Sequence, residues 1–239
     1  MQVVYKYKYM LDQVKNMALD FLGKDKSGHG GDHVLRVYNL ALKFADIEKA
    51  DKNIVSLAAL LHEVDDYKLV GKEAADKLFN AKNIMQKANI SANYQAPVLD
   101  IIQNMGFSKY LKGIRPKTLE GKIVSDADMC DAIGATGIIR SIVYAVSDKG
   151  NGIIFDNNVF PITDITSETY NSKGTTHDTD SAINHFFEKL LKLKNIMLTN
   201  AGAQEAAKRH QIMVDFLRHF FEEENAQIKW FELLDAFSN

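Results

Sequence analysis

One histidine and three carboxylates end an aliphatic stretch, Ala58 to Asp66, that reads AALLHEVDD. Side chains of Asp and Glu are almost never fully buried unless they are paired or bind a metal ion. Residues three and four positions apart share one face of a helix, so a helix here would direct His62, Asp65 and Asp66 to one side, with Glu63 about 100° away around the axis. The pattern predicts a cation-binding site.

Two further segments place metal-ligating side chains in apolar surroundings. His33 follows the loop GHGGD and lies on the same helical stripe as the apolar Val37. The segment SDADMCD places Asp126, Asp128 and Asp131 in an otherwise apolar helix. A single histidine on an apolar face is more often a core residue than a ligand. The coincidence of three such segments favours a metal site.

This chain has His33, then His62 followed by an acid, then Asp128 in an Asp-Ala-Asp segment. In this order of residues it resembles the HD-domain metal-dependent phosphohydrolases. The likeness extends through the segments GHGGDHVLRVYNLALKFA, NIVSLAALLHEVDD, KTLEGKIVSDADMCDAIGATGIIR and SAINHFFEKLLKLKNIMLTNAGAQEAAKRHQIMVDFLRHFF. The likeness covers about residues 10–225, and over this range the chain is similar to the small bacterial stand-alone branch of the superfamily. The resemblance implies an all-α HD fold with one metal site.

The resemblance also implies the metal ligands, which are His33, His62, Glu63 and Asp128. The family has Asp at the position of Glu63, and usually Arg at the position of Met129, so this chain departs from the pattern twice. We nevertheless expect Glu63 to bind the metal, because a carboxylate buried beside His62 would otherwise lack a partner for its charge.

Candidate catalytic and substrate-binding residues surround this set. Asp66 matches the position of the family's catalytic acid, so we expect it to activate or orient water, with Asp65 as its substitute. A polar helix end is the alternative for both acids. His29 is either a loop residue or, by the family pattern, a phosphate contact. Arg36 and Lys122 are candidates for binding phosphate or are simply surface cations.

Two imidazoles and two carboxylates suit a divalent ion that accepts nitrogen and oxygen ligands. The family resemblance favours Mn²⁺, with Mg²⁺, Co²⁺, Ni²⁺, Fe²⁺ and Zn²⁺ as alternatives. Such an ion lowers the pKa of bound water and polarises a phosphoryl oxygen. We therefore expect a phosphohydrolase that cleaves a phosphoester or phosphoanhydride bond in a small phosphorylated substrate, with a nucleotide as the favoured substrate.

A binding module and an oxygenase are the two alternatives to a phosphohydrolase. Glu63 and Met129 favour a degenerate HD domain that binds a nucleotide or a metal without turnover, as a sensor or interaction module. An oxygenase with two irons on a related scaffold is disfavoured, because no histidine lies between His62 and His177. Surface or packing roles are predicted for the late histidines, which are His177, His185, His210 and His219.

The composition excludes several classes of protein. A chain of 239 residues with 46% hydrophobic and 25% charged residues is typical of one globular domain, here over 1–239. The net charge of −2 provides no basic field for obligate nucleic-acid binding. Cys130 is the only cysteine, which excludes an intrachain disulfide. We find neither a signal peptide nor a membrane span, so we expect a cytoplasmic protein.

Helices must position the candidate residues. The predicted ligand helices run from Asp32 to about Ala45, from Ile54 to Asp66, and from Thr118 to about Val146. The core covers about 20–146, a long irregular loop follows over 147–180, and C-terminal helices occupy 181–239. The tail with Trp230, Phe231 and Leu234 has two candidate docking surfaces, the body of the chain or a second subunit, and the second would give a homodimer.

Overall fold

The structure is a computed structural model that describes residues 2–23, 30–148, 150–163 and 181–238. Within these ranges every regular element is helical and no strand occurs, so the predicted all-α fold is confirmed. None of the described helices combines the length and the apolar character that crossing a membrane requires.

The chain divides into two compact units, Met1–Asp128 and Met129–Asn239. The helices that begin in the first unit are α1 (Gln2–Leu22), α2 (Gly31–Glu48), α3 (Lys52–Leu61), α4 (Tyr67–Val70), α5 (Lys72–Lys77), α6 (Phe79–Lys87), α7 (Ala92–Asn104), α8 (Phe107–Leu111) and α9 (Leu119–Asp131). The second unit contains α10 (Gly134–Ala145), α11 (Ala182–Glu188), a 3₁₀ helix (Leu190–Ile196), α12 (Asn200–Glu223) and α13 (Ile228–Phe237). The single domain over 1–239 stays a prediction.

The core of the first unit forms around α3, which packs against α1, α2 and α7. This helix begins where the Asp51 side chain accepts a hydrogen bond from the Asn53 amide at 2.8 Å, as an N-cap does. Every residue from Val55 to Leu61 is buried. Because α3 is apolar on all sides, its C-terminal end lies in the interior and brings His62 there with it.

Two of the three predicted ligand helices end earlier than expected. The second ends at Leu61, and turns over 62–65 replace the helix predicted to reach Asp66. The third divides into α9 and α10 at Gly134, whose φ of +77° is a conformation that L side chains rarely adopt. A Cβ on Gly134 would also lie 2.9 Å from the Arg209 Cβ. The sequence-based prediction of one helix over 118–146 was therefore wrong.

Aromatic side chains fill the core of the second unit. The Trp230 ring stacks on Phe160 with 4.7 Å between centroids and meets the edge of Phe155 at 5.1 Å. Its Nε1 donates to the Asn157 carbonyl at 3.1 Å. The described parts of the predicted loop, 147–148 and 150–163, form no helix, and these contacts hold the segment 155–160. Residues 149 and 164–180 of that loop lie outside the described residues.

The C-terminal tail docks on its own chain, because α13 packs against α12 and fully buries Trp230 and Leu234. Of the two docking surfaces weighed for the tail, the body of the chain is the one observed. The homodimer stays a prediction.

Candidate metal centre

Four side chains converge in the first unit, and they are the four predicted metal ligands. His33 comes from the first turn of α2, His62 and Glu63 directly follow α3, and Asp128 lies on α9. One potential ligand atom from each lies within 4.8 Å of all the others. His33 and Glu63 are buried, and the other two residues are partly exposed. We call this set the metal cluster.

The distances within the metal cluster show how the donor atoms face one another. The Nε2 atoms of His33 and His62 are 3.2 Å apart. The Glu63 Oε1 lies 3.5 Å from both Nε2 atoms. The Asp128 Oδ1 lies 3.4 Å from the His33 Nε2 and 3.8 Å from the His62 Nε2. Four electron-pair donors around one point need positive charge between them, and this nitrogen and oxygen set fits a first-row divalent ion.

A main-chain carbonyl sets the orientation of the His62 ring. The Nδ1 atom lies 2.8 Å from the Ala59 carbonyl oxygen, to which it donates its hydrogen. That carbonyl belongs to the last turn of α3, where carbonyl groups have no partner within the helix. The other ring nitrogen, Nε2, therefore presents its lone pair to the metal cluster, as is usual for a ligating histidine. This contact was not predicted, because no glycine or proline marks the end of α3 in the sequence.

Asp128 carries a lowered pKa. Burial raises the pKa of this carboxyl group, but the hydrogen bond with His33 and the charges of His62 and His33 outweigh it, and Glu63 opposes them with a smaller effect. Asp128 is therefore ionised at neutral pH, which is the form that binds a metal.

Asp65 lies in a different environment from the metal cluster. Its side chain is buried, with Oδ1 accepting from the Asn80 amide at 2.9 Å and Oδ2 from the Ala81 amide at 2.8 Å. These amides belong to the first turn of α6, whose N–H groups have no partner within the helix, so Asp65 stabilises that helix end.

The prediction that His62, Asp65 and Asp66 share one helix face was wrong. Because α3 ends at Leu61, the following turn brings Glu63 beside His62 and directs Asp65 to α6. Asp66 is half-buried and directly precedes α4, and its carbonyl accepts from the amides of Leu69 and Val70. It is outside the set of atoms within 4.8 Å that defines the metal cluster.

The predicted substrate-binding residues are placed as follows. Arg36 lies on α2 one turn after His33, and Lys122 lies on α9 before Asp128, and both are half-buried. His29 lies outside the described residues. The three assignments stay predictions.

Comparison with known families and proteins identifies relatives over most of the chain. A family model described as HD domain matches residues 30–133, a range that contains the whole metal cluster. The uncharacterized protein YpgQ of Bacillus subtilis is 33% identical in an alignment of 227 positions, and the match covers 87% of this chain and 90% of that protein.

Solved structures share the fold. A protein from Lactobacillus plantarum is 36% identical with a TM-score of 0.75, over 91% of this chain and 97% of its own. An HD-superfamily hydrolase from Bacillus thuringiensis is 32% identical with a TM-score of 0.71, over 92% and 100% of the two chains. The structure of Bacillus subtilis YpgQ in complex with ADP is 28% identical with a TM-score of 0.67, over 91% and 96%.

Proposed function

Because the chain belongs to the HD-domain family, we propose that it is a metal-dependent phosphohydrolase that acts on a nucleotide. The observation that carries the proposal is the metal cluster, in which two imidazoles and two carboxylates direct ligand atoms to within 4.8 Å of one another. The Bacillus thuringiensis relative is described as an HD-superfamily hydrolase, which supports hydrolysis as the class of reaction.

The residues that would hold the ion are His33, His62, Glu63 and Asp128. A divalent ion bound there supplies a water of lowered pKa and polarises a phosphoryl oxygen. The protein fixes the donor set, because the Ala59 carbonyl orients the His62 ring and the lowered pKa keeps Asp128 ionised. Mn²⁺ is the proposed ion, ahead of Mg²⁺, Co²⁺, Ni²⁺, Fe²⁺ and Zn²⁺.

We assign activation or orientation of the attacking water to Asp66. Its competitor Asp65 uses both carboxylate oxygens to bind amides of α6, whereas Asp66 is half-buried directly before α4. A positioned carboxylate is a common general base in hydrolysis. Asp65 remains the alternative base, which a substitution at each position distinguishes.

Two observations support a nucleotide as substrate. The relative YpgQ has a solved structure in complex with ADP. On this chain, Arg36 and Lys122 lie on α2 and α9, the helices that carry His33 and Asp128, so we assign them to phosphate binding. His29, four residues before His33, completes the proposed substrate contacts.

The second candidate function is nucleotide or metal binding without turnover, which Glu63 in place of Asp favoured. Glu63 nevertheless reaches the metal cluster, with its Oε1 at 3.5 Å from both histidine Nε2 atoms. The longer side chain therefore leaves the donor set assembled. An assembled donor set is common to both functions, so turnover is what distinguishes them.

A nucleotide hydrolysis screen tests the proposal. Protein stripped of metal is reloaded with Mn²⁺, Mg²⁺, Co²⁺ or Ni²⁺ and offered nucleoside mono-, di- and triphosphates, and released phosphate is measured. We expect release with at least one ion and none from the Asp128→Ala variant. Binding of metal and ADP by the parent with no release for any combination would replace the enzyme by the binding module.

A further inference from the structure

Two arginines from other helices hold the last turn of α9. Helix carbonyls at a C-terminus lack partners within the helix and carry partial negative charge, and α9 has no basic residue in its own last turn. Arg140 of α10 donates Nη1 to the Asp131 carbonyl at 3.2 Å and to its Oδ2 at 2.8 Å. Arg209 of α12 donates Nη1 to the Cys130 carbonyl at 2.8 Å. We call this pair the arginine clamp.

Burial and packing keep the arginine clamp in place. The Asp131 side chain is 3% exposed, and those of Arg140 and Arg209 are 23% and 24% exposed. Arg209 also donates Nε to Glu205 Oε1 at 2.8 Å, which fixes the plane of its guanidinium group. Its aliphatic stem fills the space beside Gly134, where a Cβ would lie 2.9 Å from the Arg209 Cβ. Neither arginine is a solvated surface cation.

The arginine clamp acts on the helix that carries a cluster residue. Asp128 precedes Asp131 by one turn on α9, and α9 is continuous over Leu119–Asp131. Fraying of that last turn would move the Asp128 main chain. We propose that Arg140 and Arg209 are positioning residues for Asp128, which they hold in the register that places its Oδ1 3.4 Å from the His33 Nε2. This inference rests on the metal centre of the proposed function.

The expected loss of metal affinity can be judged from metal sites in other proteins. Loss of groups that orient the ligands typically costs 10–100-fold in metal affinity. Each arginine supplies one of the two contacts to the end of α9, so we expect about a 10-fold loss on removing either one, at the lower end of that range.

The test replaces each arginine by methionine, which keeps an apolar stem and removes the donors. Co²⁺ affinity and the visible absorption spectrum of the Co²⁺-loaded protein are measured for Arg140→Met, Arg209→Met and the control Arg218→Met. Arg218 pairs with Asp235 at 2.7 Å and joins α12 to α13. We expect weaker Co²⁺ binding and a changed spectrum in the first two variants, and parent values in the control. Arg209→Lys should recover part of the loss, because it keeps positive charge at the helix end.

The outcomes separate this inference from the proposed function. A parent that binds neither Co²⁺ nor Mn²⁺ overturns the metal centre, and the inference with it. A parent that binds metal, with unchanged affinity and spectrum in both methionine variants, overturns the inference alone, even if those variants melt at lower temperature.

Amide hydrogen exchange on the parent tests the same coupling without a variant. If the end of α9 and the metal site are coupled, Mn²⁺ should slow exchange over residues 129–134, because ligand effects are reciprocal. Unchanged exchange there, in protein that binds Mn²⁺, would overturn the inference should either methionine variant fail to fold.

Discussion

His62 and His210 are both largely buried, one in each compact unit, and each has one ring nitrogen 2.8 Å from a main-chain carbonyl oxygen. They differ at the other nitrogen. The His62 Nε2 faces the His33 Nε2 at 3.2 Å and the carboxylates of Glu63 and Asp128. The buried His210 Nδ1 has no hydrogen-bond partner among the residues that the structure describes. A carbonyl contact therefore does not mark a metal ligand, whereas the surroundings of the second nitrogen do.

The elements that carry the two histidines explain the difference. His62 follows the end of an apolar helix, where ligand side chains from three segments meet. His210 lies in the middle of α12 and donates Nε2 to the Phe237 carbonyl in the last turn of α13. Burial lowers the pKa of His210, the hydrogen bond to the Phe237 carbonyl opposes it with a smaller effect, and the charge of Lys194 adds slightly to the lowering. His210 is a neutral residue that satisfies a helix end, in agreement with the packing role predicted for it.

The largest expected difference is in Mn²⁺ affinity, between variants of His62 and variants of His210. We expect His62→Ala to bind Mn²⁺ at least ~100-fold more weakly and to lose turnover, because even changes outside the ligand shell can cost that much. His33→Ala and Asp128→Ala should behave alike, since each removes a donor from a separate helix. Metal content and calorimetric titration of the purified variants measure the effect.

His210→Gln is the matched control for this series, and it should bind Mn²⁺ like the parent. Metal-stripped parent should also melt at lower temperature than loaded parent, because an ion that binds only the native state stabilises it by mass action. Full metal occupancy in all three cluster variants would contradict the site.

The next largest expected effect is a loss of turnover in a variant that still binds the metal ion. Asp66→Asn should keep the metal content of the parent and lower turnover by ~10²–10⁴, the usual range for a positioned acid or base. Asp65→Asn should instead lower the free energy of unfolding by roughly 0.5–2 kcal/mol, the range for a weakened helix cap, with turnover close to the parent. Steady-state rates and denaturant unfolding curves distinguish the two, and the reverse pattern would transfer the catalytic role to Asp65.

Glu63 tests how much of the cluster depends on side-chain length. We expect Glu63→Gln to weaken Mn²⁺ binding by at least 10-fold, as loss of a group in or around a metal shell does. Glu63→Asp should retain the metal and equal or exceed the parent rate, because misplacement of a reacting group by about 1 Å can cost ~10²-fold. Parent-like binding and turnover in Glu63→Gln would place Glu63 outside the coordination shell.

The sequence predicted the fold class and the set of cluster residues better than it predicted their local geometry. The resemblance to the HD-domain family selected His33, His62, Glu63 and Asp128, and the comparisons confirm that family. The end of α3 at Leu61 was not predicted, because no glycine or proline marks it in the sequence. This helix end decides which acid lies beside His62.

Contacts between distant segments had no signal in the sequence. The arginine clamp joins Arg209 to the Cys130 carbonyl across 79 positions, and a main-chain acceptor leaves no mark on residue type. Gly134 lies against Arg209, where an added Cβ would be 2.9 Å from the Arg209 Cβ. Its positive φ, which ends the predicted continuous helix, depends on the tertiary structure around it.

The smallest expected effect is a pH dependence of stability that belongs to His210. Its pKa in the folded protein lies below the ordinary value of 6.5. Between these two pKa values the unfolded chain binds more protons than the folded chain, so stability rises with pH and is lost as pH falls through 6.5 toward the folded pKa. Glutamine at this position can still donate to the Phe237 carbonyl but does not titrate.

We therefore expect the melting temperature of the parent to fall more between about pH 7.5 and 5.5 than that of His210→Gln. A difference of a few degrees is measurable, because about 1 kcal/mol shifts the melting temperature by roughly 2–4 °C for chains of 150–250 residues. Metal-stripped samples of both proteins remove the pH dependence of metal binding from the comparison. An equal fall in melting temperature for both proteins would show that protonation of the His210 Nδ1 does not destabilise the fold. The contrast with His62 would then rest on geometry alone.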